Sequence, residues 1–159
     1  MTTQSSQVRA YWQDYLRRLP AAHRHHRAIP DAFAFGGGGA LADELADLVL
    51  AGVKRATASL AIEFSAAGET LPQAGSVSII LAADAQPVAI IERSSVVCVP
   101  FGRVDAQFAA TEGEGDGSLA WWRAVHRHYF NDVCSRLGGR FDDDTPVLCQ
   151  TFVLVWPRR

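Results

Sequence analysis

Residues 75–99 read GSVSIILAADAQPVAIIERSSVVCV. Two β-rich runs, Gly75–Ala83 and Pro87–Val99, flank the polar break Asp84-Ala85-Gln86. Branched apolar side chains suit a pleated, half-buried surface, and the short break supplies a turn, so the stretch predicts a β-hairpin. Downstream, Asp105–Thr111 reads as a short helix. Ser118–Leu137 reads as a long one, with Leu119, Trp122, His126, Tyr129, Val133 and Leu137 on one face before Gly138-Gly139. Val147–Trp156 is the last predicted strand. Upstream, residues 58–66 read as one or two helical turns closed by Gly68. Ala40–Ala51 is a helix with Leu41, Leu45, Leu48 and Val49 on one side and Gly52 as a left-handed cap. Residues 5–19 form a further helix, ended by Pro20, with Val8, Tyr11, Trp12, Tyr15, Leu16 and Leu19 on its apolar face. Phe33 and Phe35 read as anchors. Helices mixed with strands joined by a hairpin rather than regular βαβ crossovers give α+β, with a small, mostly antiparallel sheet or barrel. Residues 1–30 read as an N-terminal helical arm and 31–159 as the domain proper, one domain overall.

The chain has 159 residues, 48% of them hydrophobic, enough to bury a core without staples. Its formal charge is −2, which excludes a coat that binds nucleic acid by charge alone, though not a local basic groove. No apolar run is long enough to span a membrane and the N-terminus lacks an apolar leader region, so a cytoplasmic location is expected. Cys98, Cys134 and Cys149 form no CxxC pair and read as buried free thiols. No GxSxG, HExxH, Walker or GxGxxG signature is present.

Fourteen arginines accompany a single lysine, Lys54. A lysine kept where arginine serves every other basic position suggests a need for an amine that can lose its proton. Chance survival is the plain alternative. Gly52-Val-Lys54-Arg-Ala-Thr57 sets that amine and a hydroxyl three residues apart, just past a helix end. Such a pair can bind a phosphate or carboxylate, or the lysine can activate the hydroxyl; the alternative is a simple connector. Glu92, mid-strand among apolar neighbours, needs a partner, either Lys54 or an arginine. Thr111–Ser118 carries three acids and three glycines. It resembles a cation loop without EF-hand spacing, and Ser118 equally suits an N-cap. Trp122 falls on the core stripe, whereas Trp121 lies off it and suits base stacking. His126 shares the stripe and reads as a core histidine. His23, His25 and His26 can bind a metal adventitiously, without a physiological site being expected there.

Four stretches and the last strand together resemble the ASCH domain family, relatives of the PUA RNA-binding fold. They are Phe35-Gly36 with the helix Leu41–Gly52; Lys54-Arg-Ala-Thr57 with Ser59; Leu71–Gly75 leading into Ser78-Ile-Ile and Pro87–Glu92; and Glu112–Arg123 with His126, Tyr129 and Phe130. The resemblance covers about residues 8–156 and implies a small β-barrel flanked by helices, with a cleft at Gly52–Thr57. It also implies RNA binding, with two associated hydrolytic activities: RNA cleavage, and amide hydrolysis on acylated cytidine-type nucleosides. In the second, the lysine and threonine of a GxKxxT motif, matched by Lys54 and Thr57, work with a strand glutamate whose place Glu92 takes.

The expected function is therefore RNA binding with ribonuclease activity on single-stranded RNA. The alternatives are an amidohydrolase acting on an acylated nucleoside and a non-catalytic RNA-binding module. The expected catalytic residues are Lys54, Thr57 and Glu92, converging on one pocket. Arg55, Ser59, Arg93, Ser118 and Trp121 are the expected substrate contacts. Arg123 and Arg127, with Arg17, Arg18, Arg24 and Arg27 of the arm, add local positive charge. No cofactor or metal ligand set is evident and a divalent metal stays open. The partners expected are single-stranded RNA or a modified nucleoside, with no membrane; the sequence carries no sign of oligomeric state.

Overall fold

The computed structural model describes residues 5–157. In chain order it contains α1 (Ser6–Leu16), β1 (Asp31–Phe33), α2 (Gly39–Leu50), β2 (Ala56–Leu60) and α3 (Ala61–Ala67). The hairpin follows, β3 (Val77–Leu81) and β4 (Pro87–Pro100), then α4 (Ala106–Glu112), α5 (Leu119–Arg136) and β5 (Pro146–Trp156). Single 3₁₀ turns lie at Arg24–Arg27, Phe35–Gly37 and Phe101–Arg103. The strands form one sheet in the order β1-β3-β4-β5-β2. The fold is α+β with a mostly antiparallel sheet, as the sequence predicts.

Two elements differ from the reading above. Ala58 and Ser59, expected in a helical turn, belong to β2, which pairs antiparallel with β5 in the register Thr57↔Gln150 and Ser59↔Leu148. Alanine favours a helix, but a partner strand that satisfies every backbone group outweighs so weak a preference. Residues 31–33, expected only as an anchor, form β1 and run parallel to β3, with Ala32 opposite Ile79. Three residues are too short to show a period, so pairing alone defines that strand.

The described residues divide into two compact units. One comprises 5–51, 77–92 and 154–157, the other 52–76 and 93–153. In the first, α1 lays Val8, Trp12, Tyr15 and Leu16 on Ile79 and Ile90. Burying a side chain such as Leu16 or Ile79 contributes on the order of 1.5–3 kcal/mol, so the helix expected as an arm is part of this unit's core. Ser5 caps α1 by accepting from the Val8 amide at 3.3 Å. In the second unit, Leu60, Phe101, Val104, Trp122, Phe130 and Val147 form the core. Cys134 and Cys149 are buried as expected, but Cys98 is exposed, in the far half of β4 where Val97 beside it is exposed as well.

Candidate active site

Lys54 is buried, at 1% exposure. A charged amine in such a place needs compensation, and it has it. The Nζ donates to the Ala56 carbonyl at 2.9 Å, to Glu112 Oε1 at 3.3 Å and to Glu114 Oε1 at 2.6 Å.

Local sequence explains the placement. Gly52 takes φ +74° and turns the chain out of α2. The Arg55 amide then donates to the Thr111 carbonyl, while its own carbonyl accepts from the Phe152 amide. That pins the segment to the end of α4 and to β5. The carboxylates come from the turn after α4. Glu112 and Glu114 are two residues apart, a spacing that points side chains apart on a helix. Gly113 breaks the helix at φ +69°, and Gly115 follows at φ +58°. A Cβ on Gly113 would lie 2.6 Å from the Val53 carbonyl oxygen, and one on Gly115 would lie 2.2 Å from the Trp121 ring. Glycine is required at both by conformation and by space.

Glu112 is the most constrained member. Its Oε2 accepts from Trp122 Nε1 at 2.5 Å, and its Oε1 lies 3.4 Å from His126 Nε2. The His126 ring stacks on Trp122 at 4.1 Å, and its Nδ1 lies 2.9 Å from the Trp122 carbonyl. A carbonyl only accepts, so Nδ1 is a donor there, and donation from Nε2 to Glu112 takes a second proton on the ring. Burial pushes the Glu112 carboxyl up. The Lys54 ammonium, His126 and the Trp122 hydrogen bond outweigh burial and hold the group down at about 2. Glu114 moves the other way: burial and the neighbouring Glu112 charge raise it against the pull of Lys54. Two carboxyl groups with opposite shifts around one amine is the arrangement by which proteins separate a fixed charge from a proton carrier.

The other expected residues have distinct roles. Glu92 is held by Arg24 Nη2 at 2.7 Å and by His25 Nε2 at 3.2 Å, and His25 Nδ1 meets the Tyr15 hydroxyl at 2.9 Å. The carboxylates on Lys54 are thus those of Glu112 and Glu114, and Glu92 has found an arginine instead. Thr57 is half-buried on β2, directly after the carbonyl that Lys54 engages. Ser59 Oγ accepts from Gln150 Nε2 at 3.3 Å. Arg93, buried, donates from Nε to Gln150 Oε1 at 2.6 Å and from Nη1 to Ser76 Oγ at 3.3 Å. Arg55 is exposed. Ser118 caps α5, accepting from the Trp121 amide at 3.1 Å, and Trp121 is half-buried with its ring over Gly115. Arg127 pairs with Asp143, and Arg123 donates to the Gly102 and Val104 carbonyls.

Sequence reading overlooked Glu112 and Glu114 as individual residues. Their signal was the acidic, glycine-rich run read as a cation loop. The cation it holds is the Lys54 ammonium. Among the described residues, Glu112, Glu114 and His126 are also the one group whose ligand atoms lie close enough together for a metal, within 4.8 Å.

A family model of the ASCH domain matches residues 31–156. The chain belongs to the ASCH domain family. A crystal structure of an ASCH domain from Lactobacillus crispatus JV V101 is similar over 98% of each chain, at 33% identity and a TM-score of 0.88. The crystal structure of protein EF3133 from Enterococcus faecalis V583 is similar over 94% of this chain and 88% of that one, at 32% identity and a TM-score of 0.82. No curated protein matches. The ASCH likeness extends ahead of the family match to include α1, consistent with that helix's place in the core. No helix among the described residues is long and apolar enough to cross a membrane.

Proposed function

We propose that this ASCH protein is a hydrolase that cleaves an uncharged acyl group from a nucleoside, with Lys54 and Glu114 as its working pair. The observation that carries this reading is the charge of the centre: one buried ammonium faces two carboxylates. With all three ionised the centre bears one net negative charge. A phosphodiester brought against it would be repelled, and at low effective dielectric such repulsion costs several kcal/mol. An amide carbonyl has no charge to repel. The centre therefore favours the amidohydrolase over the ribonuclease.

In the reaction, the Thr57 hydroxyl attacks the amide carbon. Glu114, whose basicity is raised by burial and by the Glu112 charge, takes the hydroxyl proton. The Lys54 ammonium stabilises the oxyanion that forms, and Glu112 keeps that ammonium charged and fixed. Glu114 passes its proton to the departing amine as the carbon–nitrogen bond breaks, leaving an ester on Thr57. Water, deprotonated by Glu114, hydrolyses the ester and restores the hydroxyl. Glu92 has no part in this reaction. The test is release of the free amine from acylated nucleosides, measured beside cleavage of a single-stranded RNA of mixed sequence, with and without EDTA. RNA cleavage without acyl release would reject the proposal.

A second reading, RNA binding, has its own support. Residues 9–27 carry Arg9, Arg17, Arg18, Arg24 and Arg27, all exposed, against one acid, Asp14. Arg17 pairs with Asp14, Arg24 pairs with Glu92, and Arg18 lies 4.3 Å over the Trp156 ring. Since α1 buries Trp12, deleting the arm would open the core. The fitting test replaces Arg9, Arg18 and Arg27 by glutamine. If they contact phosphates, the salt slope of single-stranded RNA binding falls by about 2, at about 0.7 per contact.

A further inference from the structure

Lys54 is not the whole of the oxyanion's support. An ammonium carries three protons, and those of Lys54 already meet the Ala56 carbonyl, Glu112 and Glu114. The amine therefore acts on a reacting carbonyl through its charge, and a direct hydrogen bond has to come from another group. The strand register shows which groups share a face with Thr57. Thr57 stands directly opposite Gln150, and Ser59 lies two residues further along β2. Residues two apart on a strand project to one face, as do directly opposed residues of an antiparallel pair. Ala58 and Cys149, the next pair in the register, project to the other face.

A polar row crosses the Thr57 face. Arg93 Nε donates to Gln150 Oε1 at 2.6 Å, and Gln150 Nε2 donates to Ser59 Oγ at 3.3 Å. The direction of the row is fixed at its head. A guanidinium only donates, so the Gln150 oxygen faces Arg93 and its amino group faces Ser59. Ser59 Oγ then accepts, and its own hydrogen points away from Gln150. Among the described residues, no acceptor takes that hydrogen. Arg93 and Gln150 are buried, whereas Ser59 and Thr57 are half-buried. The row is locked at its inner end and offers a donor at its outer end.

We propose that Ser59 is the hydrogen-bond donor to the oxyanion formed when Thr57 attacks an acyl carbonyl, with Gln150 and Arg93 as positioning residues that turn the Ser59 hydrogen outward. This rests on the hydrolase reading. Two residues of strand span about 6.6 Å. A carbonyl with its carbon against Thr57 Oγ and its oxygen about 2.8 Å from Ser59 Oγ fits between the two side chains. Charge from Lys54 and a direct hydrogen bond from Ser59 then act on the same oxygen.

The experiment compares wild type, Ser59→Ala, Gln150→Glu and the double variant in amine release from an acylated cytidine, with thermal midpoints measured alongside. Gln150→Glu keeps the side chain's size and the acceptor that Arg93 engages. Its carboxylate has no hydrogen to give, so the Ser59 hydroxyl turns inward and donates to it. The expected result is a fall in kcat of about 10²-fold in each single variant, the loss of one oxyanion donor, with little change in KM. The double variant falls no further than either single one, because both remove the same hydrogen bond. A packing role would instead give additive losses that follow the thermal midpoint. The contact is also read without turnover. In the full chain labelled with heavy nitrogen, acetamide, a neutral carbonyl acceptor, should shift the Gln150 side-chain amide saturably in wild type and not in Ser59→Ala. Should Gln150→Glu fail to fold, Ser59→Ala and the acetamide titration still decide. A folded variant that keeps its kcat, additive losses, or no shift with acetamide would overturn the assignment. A wild type that responds to acetamide yet releases no amine would overturn the hydrolase reading alone.

Discussion

Each compact unit holds a charged cluster drawn from distant parts of the chain, and the two differ in burial and balance. In the second unit, one cation, Lys54, serves two carboxylates and is fully sheltered. In the first, one carboxylate, Glu92, serves Arg24 and His25, and its side chain is 30% exposed. Excess carboxylate around a buried amine leaves one acid, Glu114, with a raised proton affinity and therefore with chemistry to do. Around the half-exposed Glu92, one arginine and a histidine that burial holds toward its neutral form leave a plain ion pair. It fastens the Arg24–Arg27 turn to β4. On the proposed function, the same pair of residue types, an acid and a base, is reactive in one place and a fastening in the other, and burial with stoichiometry makes the difference.

The largest test of this contrast is removal of the buried cation. Lys54→Ala strands two carboxylates, and removing one partner of a buried ion pair costs about 3–5 kcal/mol. Urea unfolding should show that loss. Lys54→Arg keeps the charge, but a guanidinium is larger than the space the ammonium fills, and overpacking costs about 1–3 kcal/mol.

Next in size is the turn that aims the acids. Gly115→Ala places a methyl group against the Trp121 ring at a left-handed φ, which costs about 1–3 kcal/mol. It should also displace Glu114, so acyl hydrolysis should fall further than stability does. Equal activity at reduced stability would separate the turn from the chemistry.

Removing the fastening has a smaller effect. Glu92→Ala should cost about 1 kcal/mol, because a partly exposed pair is screened by solvent. Hydrolysis should stay within twofold of the wild type. The smallest effect is its pH dependence. Burial first, then Arg24 and His23, lower the His25 pKa against the pull of Glu92. The folded state therefore prefers neutral His25, and the unfolded chain binds more protons just below the ordinary histidine pKa. Stability from this group is present above that pKa and is lost as pH falls through it. His25→Phe should flatten the stability profile in that window. Glu112 acts lower still: held at about 2, its contribution is present above the ordinary carboxylate range and is lost as pH falls toward 2.

Much of the fold was legible because it rests on local signals. The hairpin of β3 and β4, the cap Ser118, and the glycine ends of α2 and α5 each appear within a few residues. What escaped depends on distant partners. β1 and β2 are short, and their pairing strands lie far along the chain. Lys54 was legible as the lone lysine, but its carboxylates are 58 and 60 residues away, and the left-handed glycines that bring them together look in sequence like a flexible loop. Glu92 was legible as a carboxylate in need of a partner, while the choice of partner belonged to the packing of the first unit.

The central claim is that Glu114, not Glu92, carries the proton for Lys54. Its most direct measurement is kcat/KM for deacylation of an acylated cytidine by wild type, Glu114→Gln and Glu92→Gln across pH 5–9, with far-UV spectra confirming the folds. Loss of a proton carrier costs about 10²–10⁴-fold. The account predicts a loss of that size for Glu114→Gln, together with disappearance of the acidic limb of the pH profile, and an unchanged profile for Glu92→Gln. A Glu114→Gln enzyme that keeps its rate while Glu92→Gln loses it would contradict the account.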